Sequence, residues 1–200
     1  MRKKIVTNLV YAQLSFFIFL AIAIFITTAG FKENRGLSFY GEHWTTAVPF
    51  GAGFVFCDYF LLRVANALPK VQPYKKISLL INILTVLLLL ILLTPDTLNS
   101  LFNWSHIADS SILFVFELSF ASWLVICLYH DKVLLLLLVA QFFTAVLAML
   151  SQFHVIYYLS EGILFFQLFF GILLTRSISK LLTHAAEVKV SYPPKPLDAS

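Results

Sequence analysis

Six apolar stretches, each close to the length that crosses a bilayer, limit what this chain can fold into. They run approximately Asn8–Ala29, Thr46–Ala67, Ile77–Leu93, Ala108–Tyr129, Val133–Leu150 and Val155–Thr175. A hydrocarbon core of about 30 Å takes about 20 residues as α-helix. Barrel strands would alternate apolar and polar residues. The runs Val86–Leu93 and Val133–Val139 do not alternate, so helix is the expectation. The expected fold is all-α: a polytopic transmembrane bundle of six helices within residues 1–187, followed by a flexible Pro-rich tail over 188–200. Prolines agree with this division. Pro69, Pro73 and Pro95 fall between spans, where a missing backbone donor costs least, and Pro49 is expected in the first turn of span two. Apolar residues make up 60% of the chain and charged residues 12%. A soluble domain carries roughly 25% charged residues. That excludes a soluble enzyme, a nucleic-acid-binding module and a disordered chain.

Lys and Arg set the expected orientation. Arg2, Lys3, Lys4, Arg63, Lys70, Lys75, Lys76, Lys132, Arg176, Lys180, Lys189 and Lys195 fall on one side of the spans, and only Lys32 and Arg35 on the other. The positive-inside rule then places both termini in the cytoplasm, in a multi-pass protein of the cell membrane. The loops 30–45, 94–107 and 151–155 face outward. The first apolar run is about 20 residues, longer than a signal-peptide core of about 7–15, so it reads as a retained helix. Cys57 and Cys127 lie within spans and read as small buried apolar residues rather than a disulfide.

Polar residues within the spans carry the functional information, because hydrocarbon penalises them. Glu117, Asp58, Gln141 and Gln167 each fall in the middle third of a different span; Asn82 and Gln13 lie nearer the basic side. A carboxylate at the bilayer centre costs at least about 2.5–3.5 kcal/mol, so Glu117 and Asp58 should face the interior and find partners. Either they move protons or substrate, or they hold helices together through Gln141 and Gln167. Arg63 stands five residues from Asp58, about 140° around the helix, and need not be its partner.

A second cluster lies at the outer ends of the spans: His43 before span two, His106 and Asp109 at the start of span four, and His154 and Glu161 around the start of span six. His106 and Glu117, eleven residues apart, return to within about 20° of one helix face. Such a group could bind zinc through His43, His106 and His154, or carry protons. The chain has no His-Glu-x-x-His, no paired-cysteine motif, no phosphate loop and no Gly-x-Ser-x-Gly elbow, so no metal, no cofactor and no specific catalytic residue is expected.

The segment Gly36-Leu-Ser-Phe-Tyr-Gly41 suggests a folded-back loop over the mouth of the bundle, with Tyr40 and Trp44 in an aromatic belt. Six short-looped helices with both ends inside, Leu37-Ser38-Phe39-Tyr40-Gly41 after span one and His106 opening span four resemble a group of uncharacterised bacterial six-helix membrane proteins distantly related to the DRAM/Frag-type superfamily. The family's usual Ser-Asp-x-Gly differs here, where Phe39 follows Ser38. The resemblance implies a fold and a membrane address, and no activity.

The favoured functional reading is non-enzymatic: a bundle that binds a lipid or small amphiphile, or scaffolds a membrane-protein partner or a second copy of itself, with no nucleic acid involved. Two alternatives stand beside it. One is a small proton-coupled transporter using Glu117 and Asp58. The other is an intramembrane metal-dependent hydrolase with an outer-face His/Asp/Glu site. The orientation is tested first. Cysteines placed at Asn34 or Asn99 should react with an impermeant thiol reagent on intact cells, and ones at Lys75 or Ser191 should not. The reverse pattern would end the assignment.

Overall fold

The computed structural model describes residues 1–29, 36–94, 100–152 and 157–191, without the side chains of 100–103, 152 and 185–191. Seven helices form, with no strand among the described residues: α1 Arg2–Ile26, α2 Phe39–Glu42, α3 Trp44–Ala67, α4 Tyr74–Leu93, α5 Ser100–Cys127, α6 Lys132–Gln152 and α7 Leu159–Ser191. All but the one-turn α2 are long and apolar enough to cross a membrane. The outer surface carries exposed Val115, Val139, Phe142, Phe143 and many similar side chains. A contiguous apolar surface of this kind far exceeds what water tolerates on a monomer, so lipid is its solvent. The protein is an integral membrane bundle of six spans.

The helices overrun the apolar stretches, chiefly at the Lys/Arg-rich end. α1 already begins at Arg2, and α7 continues to Ser191, four residues into the region expected as tail. Ala185-Ala186-Glu187 favours helix, and Pro193 disfavours helical backbone at the residue before it. Residues 192–200 lie outside the described residues. At the opposite end α5 starts at Ser100, which puts His106 and Asp109 inside the helix. α3 starts at Trp44, where the Thr46 and Ala47 amides both donate to the His43 carbonyl. Pro49 therefore sits in the second turn rather than the first, and withholds the N–H that the Thr45 carbonyl would accept.

Each span packs on its neighbour in the chain, and α7 returns to α1, closing a ring. α5 also reaches α7 directly, while α6 lies mainly along α7. The α5–α7 seam is aromatic: Phe114 stacks on Phe166 at 3.8 Å between ring centroids, and Phe120 meets Phe170 at 6.2 Å. Between α1 and α3, Phe16 packs edge-on to Phe54. In lipid, close backbone approach replaces the hydrophobic effect as the force between helices. Gly162 provides it for α6 and α7, since a Cβ there would lie 2.9 Å from the Ala148 backbone nitrogen.

α2 folds back over one end. Gly36 takes φ +75°, a left-handed turn that favours glycine. Leu37, Phe39 and Tyr40 are then buried, and the Thr46 hydroxyl lies 2.9 Å from the Tyr40 carbonyl. Tyr40 is thus a core residue, not part of an aromatic belt; Trp44, 84% exposed, keeps the belt position. Cys57 and Cys127 are both free thiols. Cys127 is exposed at the end of α5, against the expectation of burial.

A methyl group at the closest helix crossing should be costly. Gly162→Ala pushes against backbone and should lose about 1–3 kcal/mol. Gly51→Ala meets only the Leu92 side chain at 3.5 Å and should be near neutral. Thermal unfolding of both variants in detergent micelles reads the difference.

Candidate functional site

Glu117 is buried in the middle of α5, and its partner comes from α7. The Gln167 amide donates to its Oε2 at 2.8 Å. The bond lies between the Phe114–Phe166 and Phe120–Phe170 contacts, so three successive turns of α5 face α7. Of the two amides nominated by depth, Gln167 makes this contact and Gln141 does not. Gln141 is fully buried, yet neither end of its amide has a partner among the described residues. Asp58 is 4% exposed, and both its carboxyl oxygens are likewise unpartnered among those residues. Arg63 does not serve it: the guanidinium donates to the Tyr59 hydroxyl at 2.9 Å and lies against that ring.

Gln13 was not singled out as a site residue, yet it is the best-bonded amide of the interior. Its Nε2 donates to the Gly171 carbonyl at 2.7 Å and to the Thr175 hydroxyl at 2.6 Å, tying α1 to α7. Asn82 differs from the rest: it is exposed on the outside of the bundle.

Among the described residues, those at the end away from the Lys/Arg-rich side do not form one site. His106 Nδ1 lies 2.6 Å from the Thr94 carbonyl, so that nitrogen carries the proton and closes the C-terminus of α4. The Thr94 hydroxyl is 3.1 Å from Asp109 Oδ2, and Ser110 is 3.5 Å from the other His106 nitrogen. His43, between α2 and α3, turns back to α2, 3.0 Å from the Phe39 carbonyl, with its ring against that of Phe39. Glu161 stands in the first turn of α7, where an acid complements the helix dipole. His154 lies outside the described residues. No three His, Cys, Asp or Glu side chains among the described residues are grouped to hold a metal ion.

At the Lys/Arg-rich end the structure builds something the sequence reading treated only as an orientation signal. A groove of about 530 Å³ opens between α1, α6 and α7. Val6, Val133, Leu137 and Ile172 wall it, and Arg176 and Lys180 stand at its mouth. A second cleft of about 310 Å³ shares Val6 and Ser179 with it and adds Arg2 and Lys3. Arg176 and Lys180, one turn apart on α7, both reach Asp131 in the α5–α6 connection, at 3.0 and 2.7 Å. Hydrogen bonding from Arg176, helped by Lys180 and the Val133 amide, holds the Asp131 carboxyl well below the usual carboxylate range. Its contribution to stability is complete above an ordinary carboxyl pKa of about 4 and is lost only as the pH falls towards the lowered value. The groove is thus lined by two cations, Arg176 and Lys180, both paired with Asp131, and Arg2 and Lys3 line the adjoining cleft. The i, i+4 spacing of Arg176 and Lys180 beyond the last apolar stretch was the available signal.

Comparison with protein-family models, with curated proteins and with solved structures returns no match.

The interior bond has a direct test. Glu117→Gln keeps a donor and an acceptor opposite Gln167 and should unfold near the wild-type temperature. Glu117→Leu strands the Gln167 amide and should lose about 1–2 kcal/mol in detergent unfolding. Equal stability of the two variants would remove the bond from the account of the fold.

Proposed function

We propose that this chain is a non-enzymatic multi-pass protein of the cytoplasmic membrane that binds a lipid or small amphiphile in the groove between α1, α6 and α7. The observation that carries the reading is the groove's division into two chemistries. Its walls are aliphatic, its polar end holds Arg176 and Lys180, paired with Asp131, and the adjoining cleft that shares Val6 and Ser179 adds Arg2 and Lys3. A volume of about 530 Å³ falls within the range of about 300–1,000 Å³ typical of small-ligand sites. An acyl chain fits the walls without a desolvation cost, and a phosphate or carboxylate headgroup fits the mouth. With the orientation read from Lys and Arg, that mouth lies at the inner leaflet, whose anionic lipids carry the matching charge.

The experiment is native mass spectrometry of the detergent-purified protein after exposure to phosphatidylglycerol and phosphatidylcholine with identical chains. Wild type should retain phosphatidylglycerol in preference. Ile172→Trp, which fills the groove, should lose both lipids while unfolding at the same temperature. Retention unaffected by Ile172→Trp would overturn the groove as the site. Equal retention of the two lipids would leave a chain-binding groove and remove the headgroup part.

A second reading, a proton-coupled carrier, is favoured by one observation: the buried Asp58 carboxyl has no partner among the described residues. An ionisable group inside a membrane bundle marks a candidate proton or ion path. Proton flux into vesicles that is unchanged by Glu117→Gln and by Asp58→Asn would end that reading.

A further inference from the structure

Among the amide and carboxyl side chains singled out within the spans, Gln13, Asp58, Asn82, Glu117, Gln141 and Gln167, Asn82 alone is exposed. It is eight residues into α4, about 12 Å from the start of that helix. No hydrogen bond reaches its side-chain amide from the described residues; the contact at this position is the Thr85 hydroxyl on its backbone carbonyl. The exposed serines of α5 behave differently. Ser111 and Ser119 also face outward, and each hydroxyl returns its proton to a carbonyl one turn back, at 2.7 Å in both cases. Asn82 has no such local bond. An amide with two donors and an acceptor is therefore turned towards lipid chains that offer neither.

The residues around it are arranged in register. Leu79, Asn82, Val86, Leu89 and Leu93 follow one another at steps of three and four and are all exposed. This is the seam spacing of two helices crossing at a shallow left-handed angle, a crossing common in membranes. The opposite face of α4, with Ile77, Ile81, Leu84 and Leu88, is already buried against the bundle.

We propose that this seam is a self-association surface, and that Asn82 of one copy hydrogen-bonds to Asn82 of a second copy across a two-fold axis along the membrane normal. Self-complementarity selects the occupant. Two copies inserted the same way present α4 in parallel, so residue 82 meets residue 82 at equal depth. An amide is both donor and acceptor for its own kind. A polar residue at one seam position fixes register in such pairs, while the flanking leucines and Val86 supply shape. The pairing is isologous and closes as a dimer. It lies on the opposite side of α4 from the core and uses none of the groove residues.

The test is association of the full chain in bilayers at low protein-to-lipid ratio, read by energy transfer between labelled copies. Wild type should dimerise. Asn82→Leu should weaken the dimer about three- to thirty-fold, the span of measured interhelical polar contacts. Asn82→Gln should restore part of it. A second readout does not depend on stability. With Cys57→Ala and Cys127→Ser as background, Asn82→Cys and Val86→Cys should form disulfide-linked dimers on mild oxidation, and Val115→Cys on α5 should not. A wild-type chain that stays monomeric overturns the proposal. So does an association constant unchanged in Asn82→Leu, or cross-linking as efficient at Val115 as at Asn82.

Discussion

Hydrocarbon offers no hydrogen bonds, and the arrangement of this bundle follows from where its polar groups find them. Backbone groups are satisfied inside each helix, which is why the chain crosses as helices at all. Side chains must look elsewhere. Gln13 reaches the Gly171 carbonyl and Thr175, and Gln167 reaches Glu117. Both contacts involve α7, which makes the last helix the common partner of α1 and α5. Apolar packing alone would not select these neighbours, since the surrounding lipid is as apolar as leucine.

Where polarity is dense, at the two ends, the helices are tied down rather than merely packed. At one end His106 and Asp109 join the start of α5 to Thr94 at the close of α4. At the other, Asp131 fastens the α5–α6 connection to α7 through Arg176 and Lys180. This second clamp also gives the groove its shape, because it fixes the two cations relative to Val133 and Leu137 on α6. A strongly paired acid between two cations leaves them held in place while Arg2 and Lys3 add charge from α1.

Length and hydropathy were enough to read the six spans, and the depth of Glu117 pointed to an interior amide partner. These follow from local rules, a fixed rise per residue and the cost of a buried carboxylate. Facing was less legible. Asn82 and Gln141 look alike in sequence, each an amide in an apolar run, yet one faces outward and the other is fully buried. Nearly uniform Leu, Ile and Val on all sides removes the contrast that tells a soluble helix which face to bury. The groove was hidden for a different reason. Val6, Val133 and Ile172 are ordinary span residues, and only the meeting of α1, α6 and α7 makes a wall of them. Tyr40 went to the core because Gly36 turns the chain back on itself, a long-range consequence of one glycine.

The Gln13 contact has a consequence for how the protein is made. Its partners at Gly171 and Thr175 lie 158 and 162 residues downstream. At roughly 5–20 residues per second, synthesis brings them into the membrane about 8–30 s after Gln13 has left the ribosome. During that interval the first helix carries an unmatched amide, and α3 can cover only one of its sides. The ring cannot close as the chain emerges. It closes when the sixth span arrives, so the first helix is the earliest made and among the last to be fully packed.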